Sequence, residues 1–138
     1  MTLATTDRRP SADTDWLRWR LRKELGEHAR DDAGTRALYS SDASNYRVLP
    51  TMVVAPGSAD QLASVVGLAI GAGVPVTMRG GGTSIAGNAI GSGVVVETRR
   101  LARILDIDPV AGTATVEPGV VLGALNATAL TQGLRVGV

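Results

Sequence analysis

Apolar residues recur at two different periods along the chain, and the change of period divides it. Leu17, Leu21 and Leu25 fall at i, i+4 and i+8, one stripe of a helix predicted over residues 14–28. Asp13 or Thr14 can cap its start, and Gly26 lies near its end. The opposite face carries Arg18, Arg20, Arg22 and Lys23, interleaved with Asp15, Glu24 and Glu27, and reads as a solvated face. Residues 1–13, rich in Thr, Ser, Asp, Arg and Pro, read as a disordered lead-in. Residues 31–50 are polar and punctuated, with a helical turn expected near 35–39 and loop as far as Pro50.

From Thr51 the pattern changes. Met52-Val53-Val54 is a short apolar run that suits a buried strand. Pro56-Gly57 turns the chain, and Ser58-Ala59-Asp60-Gln61 fits a capping box, with Gln61 reaching back. Leu62, Val65, Val66, Ala69 and Ile70 then recur at helical spacing until Gly71 and Gly73. Val74 to Arg79 is a second strand, so strand, helix and strand make a βαβ unit with parallel strands. After a glycine-rich loop, Gly80 to Gly93, Val94 to Glu97 is a strand. Ile104 to Asp108 alternates apolar and acidic residues and pairs, across the turn 109–112, with Thr113 to Glu117. A helix over 121–132, anchored by Leu122, Leu125 and Leu130, ends at Gly133. Leu134 to Val138 reads as the start of another buried strand, and the chain is therefore expected to be the front part of a larger fold.

Composition narrows the functions. The chain has 138 residues and 20% charged residues, room for one domain with a modest core. Aromatics make up 3%, too few for the stacking platforms of single-strand nucleic-acid binders, and a net charge of +1 does not suit a phosphate-backbone binder. With no Cys and only His28, disulfide frameworks, iron–sulfur clusters and thiolate or His-rich metal sites are not expected. Residues 61–78 carry no charge, but Gly67, Gly71, Gly73 and Pro75 interrupt them, so a buried helix and strand suit them better than a membrane span. The start lacks the apolar stretch of a secretory signal, and a cytoplasmic protein is expected.

The segment that carries chemistry is Arg79-Gly80-Gly81-Gly82-Thr83-Ser84-Ile85-Ala86-Gly87-Asn88. Ordering glycine costs about 0.5–1 kcal/mol relative to alanine in regular structure, and three in a row need an offsetting interaction. A phosphate can provide it, because glycines let main-chain N–H groups converge on anionic oxygens. Thr83 and Ser84 add hydroxyls, and Arg79 adds positive charge or pairs with a carboxylate. The Walker pattern fails at Asn88-Ala89, where Lys and Ser/Thr are required, and the dinucleotide pattern fails at Ile85. On spacing alone, a long flexible turn stays open as an alternative.

The segment from Arg47 to Val138 resembles the first part of the FAD-binding domain of vanillyl-alcohol-oxidase-type, or PCMH-type, flavoproteins. The residues that carry the resemblance are Leu49-Pro50 before Met52–Val54, the helix opening Ser58 to Gln61, Val74-Pro75-Val76 leading into Arg79 to Ser84, and Val116-Glu117-Pro118-Gly119-Val120. The D-lactate dehydrogenase and glycolate oxidase catalytic-subunit branch is the most similar. The resemblance implies an α+β fold: the first lobe of such a domain over 47–138, after an N-terminal helical segment over 14–46. It implies FAD, its pyrophosphate wrapped by Gly80, Gly81, Gly82, Thr83 and Ser84, with Gly87 and Asn88 beside them and Pro118 and Gly119 close by. Some relatives tether flavin through a His at the place held by Thr83, so non-covalent FAD is expected.

The implied activity is oxidation or dehydrogenation of a small D-2-hydroxy acid such as D-lactate or glycolate. Relatives that reduce an enolpyruvyl sugar nucleotide or build ether lipids are a further reading, less favoured by the Thr-Ser ending of the loop. Relatives also have a second lobe and a cap domain. An alternative is therefore a truncated or split fragment, inactive alone, that needs those lobes or a partner chain. No catalytic base is assigned; Tyr39, Tyr46 and His28 are the candidates by chemistry, and His28 suits a solvated helix end better.

Overall fold

The computed structural model describes residues 12–137. Helix α1 runs over Ala12–Leu25 and tightens into a 3-10 turn, Gly26–His28, as Gly26 takes a φ of +58°. The helix starts before the predicted caps, so Asp13 and Thr14 lie inside its first turn. The lead-in up to Ser11 lies outside the described residues. Leu17, Leu21 and Leu25 are all buried, as their spacing predicts. Behind them come strand β1, Ala29–Arg30, and helix α2, Ala33–Leu38, whose start Asp32 caps by accepting from the Thr35 amide at 2.9 Å.

Strands β2 (Met52–Val54), β3 (Val76–Arg79) and β4 (Val94–Glu97) join β1 in one sheet, in the order β1-β2-β4-β3. The parallel βαβ unit holds, with β4 inserted between its two strands and parallel to both. Every residue of β2, and all three valines of β4, are buried. This is what a parallel sheet covered on both faces requires. One face carries Met52, Val54, Val94 and Val96, which pack in one cluster with Leu17, Leu21, Leu25 and Ala29.

Helix α3, Ala59–Gly71, adds Val65 and Ala69 to that cluster, with Leu62, Leu68 and Ala72 at its margin. Ser58 caps it by accepting from the Gln61 amide at 3.2 Å, and the Gln61 side chain reaches back to the Gly57 amide at 2.8 Å. Ile70, read above as part of the apolar face, is exposed; the inward arc runs through 62, 65, 69 and 72, and Ile70 lies outside it. Among the described residues, no helix is long and apolar enough to cross a membrane.

Strands β5 (Ile104–Asp108) and β6 (Thr113–Val116) form the expected hairpin. Asp108 closes its turn by accepting from the amides of Val110 and Ala111, both at 2.9 Å. The register shifts between Ile104 and Asp106, and Ile104, Ile107 and Asp108 are half-buried in place of a strict alternation. Helix α4 spans Leu122–Leu130. Two of its three predicted anchors are wrong: Leu122 and Leu130 are exposed, Leu125 is half-buried, and Ala129 is the buried residue. With Leu and Ala all around this helix, its pattern alone does not single out an inner face. Gly133, at φ +74°, ends it, and the Leu134 amide returns to the Ala129 carbonyl at 3.0 Å. Residues 134–137 form no strand: the Val136 amide bonds the Asn126 side chain at 2.9 Å instead of a sheet neighbour.

Candidate functional site

The glycine loop leaves the carboxyl end of β3, at the edge of the sheet where open α/β folds receive ligands. Its glycines are there for different reasons. Gly82 has a φ of +70°, and a Cβ on it would collide with the Arg79 guanidinium. Gly87 has a φ of +80°, and a Cβ would come within 2.9 Å of the Tyr46 ring. At Gly93 a Cβ would run into the Pro75 carbonyl. Gly80 and Gly81 have neither reason. Nothing would lie within 4 Å of a Cβ at Gly80, and only the Thr83 methyl, at 3.6 Å, would meet one at Gly81. The protein's own packing does not require glycine at these two positions.

The same stretch leaves its main chain unspent. Among the described residues, the N–H groups of Gly80, Gly81, Gly82, Thr83, Ser84 and Ile85 donate to no protein acceptor. Pairing resumes where the loop descends. The Ser84 hydroxyl accepts from the amides of Ala86 (3.2 Å) and Asn88 (3.1 Å), and the Ala89 amide donates to Asp42 Oδ2 at 3.2 Å. The Asn88 amide is thus already engaged, while the Asn88 side chain is exposed. Consecutive free N–H groups on a turn, with no side chain above the first two, form a concavity suited to anionic oxygens.

Arg79 sets its guanidinium against Gly82. Its Nη1 donates to the carbonyls of Ser41 (3.0 Å) and Ala89 (3.1 Å), and its guanidinium stacks on the Tyr39 ring at 4.9 Å. It bonds no carboxylate, so the ion-pair expectation is replaced by a strut between two backbone segments. The Tyr39 hydroxyl donates to Glu97, which also takes the Arg99 guanidinium. Burial pushes the Tyr39 phenol above its usual range, and the neighbouring Glu97 carboxylate adds to the shift. Burial acts to raise Glu97 as well, but hydrogen bonds from Arg99 and Tyr39 outweigh it and hold the carboxyl below its usual range. Asp42 is held low by hydrogen bonding to Ser44.

Pro118 and Gly119 follow the hairpin. The Gly119 amide donates to the Leu101 carbonyl at 2.7 Å, and a Cβ there would strike the carbonyls of Thr98 and Leu101. The Leu101 amide donates to the Thr98 carbonyl and the Thr98 amide to the Arg79 carbonyl, both at 2.9 Å, which ties Gly119 to the base of the glycine loop through Leu101 and Thr98. Pro118 is exposed. The structure thus gathers 80–84 on one turn, sets Gly87 and Asn88 on its descending limb, and brings Gly119 to its foot. The chemical candidates for a base do not join them. Tyr39 is spent on Glu97, Tyr46 covers Gly87, and His28 lines a separate cleft of about 380 Å³ that contains no residue of the loop. The sequence reading missed the supporting residues Tyr39, Ser41, Asp42, Tyr46 and Glu97. The available signal was the Asp-x-Ser turn pattern at 42–44, which pins a backbone in place.

Residues 50–138, well over half of the chain, match the family described as "FAD binding domain". The chain belongs to this family of FAD-binding domains, the vanillyl-alcohol-oxidase or PCMH type. FAD is accordingly its cofactor. It is 34% identical over 98 residues to the glycolate oxidase subunit GlcD of Bacillus subtilis, covering 69% of this chain and 21% of that protein. It is 38% identical over 95 residues to D-2-hydroxyglutarate dehydrogenase of Escherichia coli, covering 66% of this chain and 9% of that one. The chain therefore spans about a fifth or less of these relatives. The structure of 4-ethylphenol oxidase from Gulosibacter chungangensis superimposes with a TM-score of 0.74 at 23% identity, over 99% of this chain and 28% of that one. It shares the α+β fold of the first FAD-binding lobe.

Proposed function

We propose that this chain grips the FAD pyrophosphate, without a covalent tether, in an oxidoreductase acting on a small D-2-hydroxy acid. The observation that carries the reading is the run of unpaired main-chain N–H groups from Gly80 to Ile85, opening on two glycines that packing leaves uncovered. Gly80, Gly81, Gly82, Thr83 and Ser84 would hold the phosphate oxygens, since charge-assisted N–H donors to an anion are the stronger kind. Gly87 and Asn88 would shape the far limb, and Pro118-Gly119 would approach from the Thr98 side. Thr83 has no ring nitrogen with which to attach a flavin. When bound, the cofactor supplies acceptance of a hydride from the substrate's alcohol carbon. The substrate class rests on the two relatives named above, one an oxidase subunit for glycolate and one a dehydrogenase for D-2-hydroxyglutarate.

The test is a purified intact protein. It should be yellow and should release FAD into the supernatant on acid precipitation. It should also reduce an artificial acceptor with glycolate, D-lactate or D-2-hydroxyglutarate. A colourless protein that FAD cannot reconstitute would overturn the reading, and flavin retained in the precipitate would overturn its non-covalent part.

Exposed apolar residues favour a second element, a further lobe or partner chain that completes the enzyme. Leu105, Val110, Val121, Leu122 and Leu130, on and after the hairpin, are all open to solvent. A monodisperse 138-residue chain that holds FAD and turns over by itself would refute this.

A further inference from the structure

We infer that residues Tyr39 to Tyr46, which precede the matched domain, are a clasp that sets the shape of the glycine loop. In this assignment Arg79 and Asp42 are positioning residues for FAD, not ligands of its phosphates. The inference rests on the pyrophosphate reading of the loop. The contacts of the clasp fall at the two ends of that loop, on Arg79 at its start and on Gly87 and Ala89 at its finish. Tyr39 carries the Arg79 guanidinium on its ring and anchors to β4 through Glu97, the register partner of Arg79. The Ser41 carbonyl and the Ala89 carbonyl share one Arg79 nitrogen, which fastens the clasp and the descending limb to the end of β3. Asp42 uses its two oxygens separately, Oδ1 on the Ser44 amide at 2.9 Å and Oδ2 on the Ala89 amide. The Tyr46 ring closes over Gly87. The clasp is itself braced by the bridge between Ser41 and Arg47 and by the Val48 amide on the Ser40 carbonyl at 2.8 Å.

The physical need is plain. A glycine-rich loop whose amides from 80 to 85 donate to no protein acceptor loses much backbone entropy when a ligand fixes it, and prior ordering of its two ends lowers that loss. The clasp orders both ends: Arg79 at the start, Gly87 and Ala89 at the finish. The charge arrangement agrees. The Arg79 nitrogen that bonds at all is spent on two carbonyls, and Asp42 is an anion placed under an anion site, an unfavourable choice unless its geometry matters more than its charge.

Asp42→Asn separates geometry from charge. If Asp42 acted through its charge, removing a negative charge near the pyrophosphate would tighten FAD. In the clasp, Asn offers one acceptor oxygen where two amides need one each, and FAD should weaken about 10-fold or more. Arg79→Lys supplies the matching control, since lysine keeps the positive charge that a phosphate ligand needs but cannot bridge two carbonyls while stacked on Tyr39. It too should weaken FAD by about 10-fold or more. The measurements, on the intact protein, are FAD affinity by flavin fluorescence and hydrogen exchange of the 80–89 amides without FAD. The exchange at Ala89 should speed up in both variants while the β2 and β4 amides stay protected. Unchanged or tighter FAD in Asp42→Asn, or wild-type affinity in Arg79→Lys, would overturn the inference. Should either variant fail to fold, Tyr46→Ala, at an exposed ring, is judged by the same criterion. Gly81→Val distinguishes the two failures. Intact FAD binding in Gly81→Val removes the pyrophosphate reading itself. Loss of FAD in Gly81→Val beside normal binding in the clasp variants removes only the clasp.

Discussion

The Arg103 guanidinium grips one oxygen of Glu117 with two nitrogens, at 2.9 and 2.7 Å, while the Arg103 amide takes the other oxygen at 2.8 Å. Glu117 is buried, and its own amide returns to the Arg103 carbonyl at 2.9 Å. This fixes the place where the hairpin hands the chain to Pro118 and Gly119. Glu117→Gln keeps the shape but sets an amide against the guanidinium. Its melting temperature should fall by about 5 °C, with FAD weakened only as far as Gly119 shifts. Calorimetry of the wild type and variant checks this, and an unchanged melting point would show the pair to be incidental.

Neighbouring glycines should respond differently to the same substitution. At Gly81 a Cβ meets only the Thr83 methyl, at 3.6 Å, so Gly81→Val should keep its melting point without FAD and lose FAD binding by about 100-fold or more. At Gly82 the backbone is left-handed and the Arg79 guanidinium occupies the space, so Gly82→Val should lower the melting point without FAD as well. Melting curves with and without added FAD separate the two. Equal destabilisation of the FAD-free protein by both variants would contradict the structure.

The elements with a clean period were legible in the sequence. The Leu17, Leu21, Leu25 stripe, the two valine-rich strands, the Ser58 cap and the hairpin all stand where their spacing puts them. What failed had a physical cause. The pairing order was not read at all: β4 lies between β2 and β3, and order in a sheet is a non-local property. Helix α4 is apolar on every side, so its inner face depends on what surrounds it. The glycine loop was readable as a ligand loop, but its supports were not. Asp42 and Ala89 are 47 positions apart, and no local pattern links them.

The N-terminal helix should prove part of the domain core. Leu21 has no exposed surface and packs in the cluster with Val54, Val65 and Val96. Leu21→Ala should cost about 2–5 kcal/mol in chemical denaturation. Ile70→Ala, on the same domain but 70% exposed, should change stability by no more than about 0.5 kcal/mol. Comparable losses at both positions would mean that Leu21 does not pack in the core or that Ile70 does.

Acid should loosen the site before it unfolds the sheet. Asp32, Asp42, Glu97 and Glu117 all have folded pKa values below their unfolded ones, from hydrogen bonding to Thr35, from hydrogen bonding to Ser44, from Arg99 and Tyr39 against burial, and from Arg103 respectively. A group depressed in this way contributes stability that is complete above its unfolded pKa, near 4, and is lost as pH falls through the folded value. Tyr39 runs the other way. Its folded pKa is raised by burial and by Glu97, so its contribution is complete below about 10 and is lost as pH rises through the raised value. Stability should therefore be level from about pH 5 to 9 and fall on both sides. Two of the four carboxylates, Asp42 and Glu97, belong to the clasp and its anchor, so FAD release should begin at a higher pH than loss of far-ultraviolet circular dichroism. Asp42→Asn should remove part of that gap, because one of the titrating groups is then gone. Coincident acid transitions for flavin release and unfolding, in both wild type and variant, would rule out a locally acid-sensitive loop.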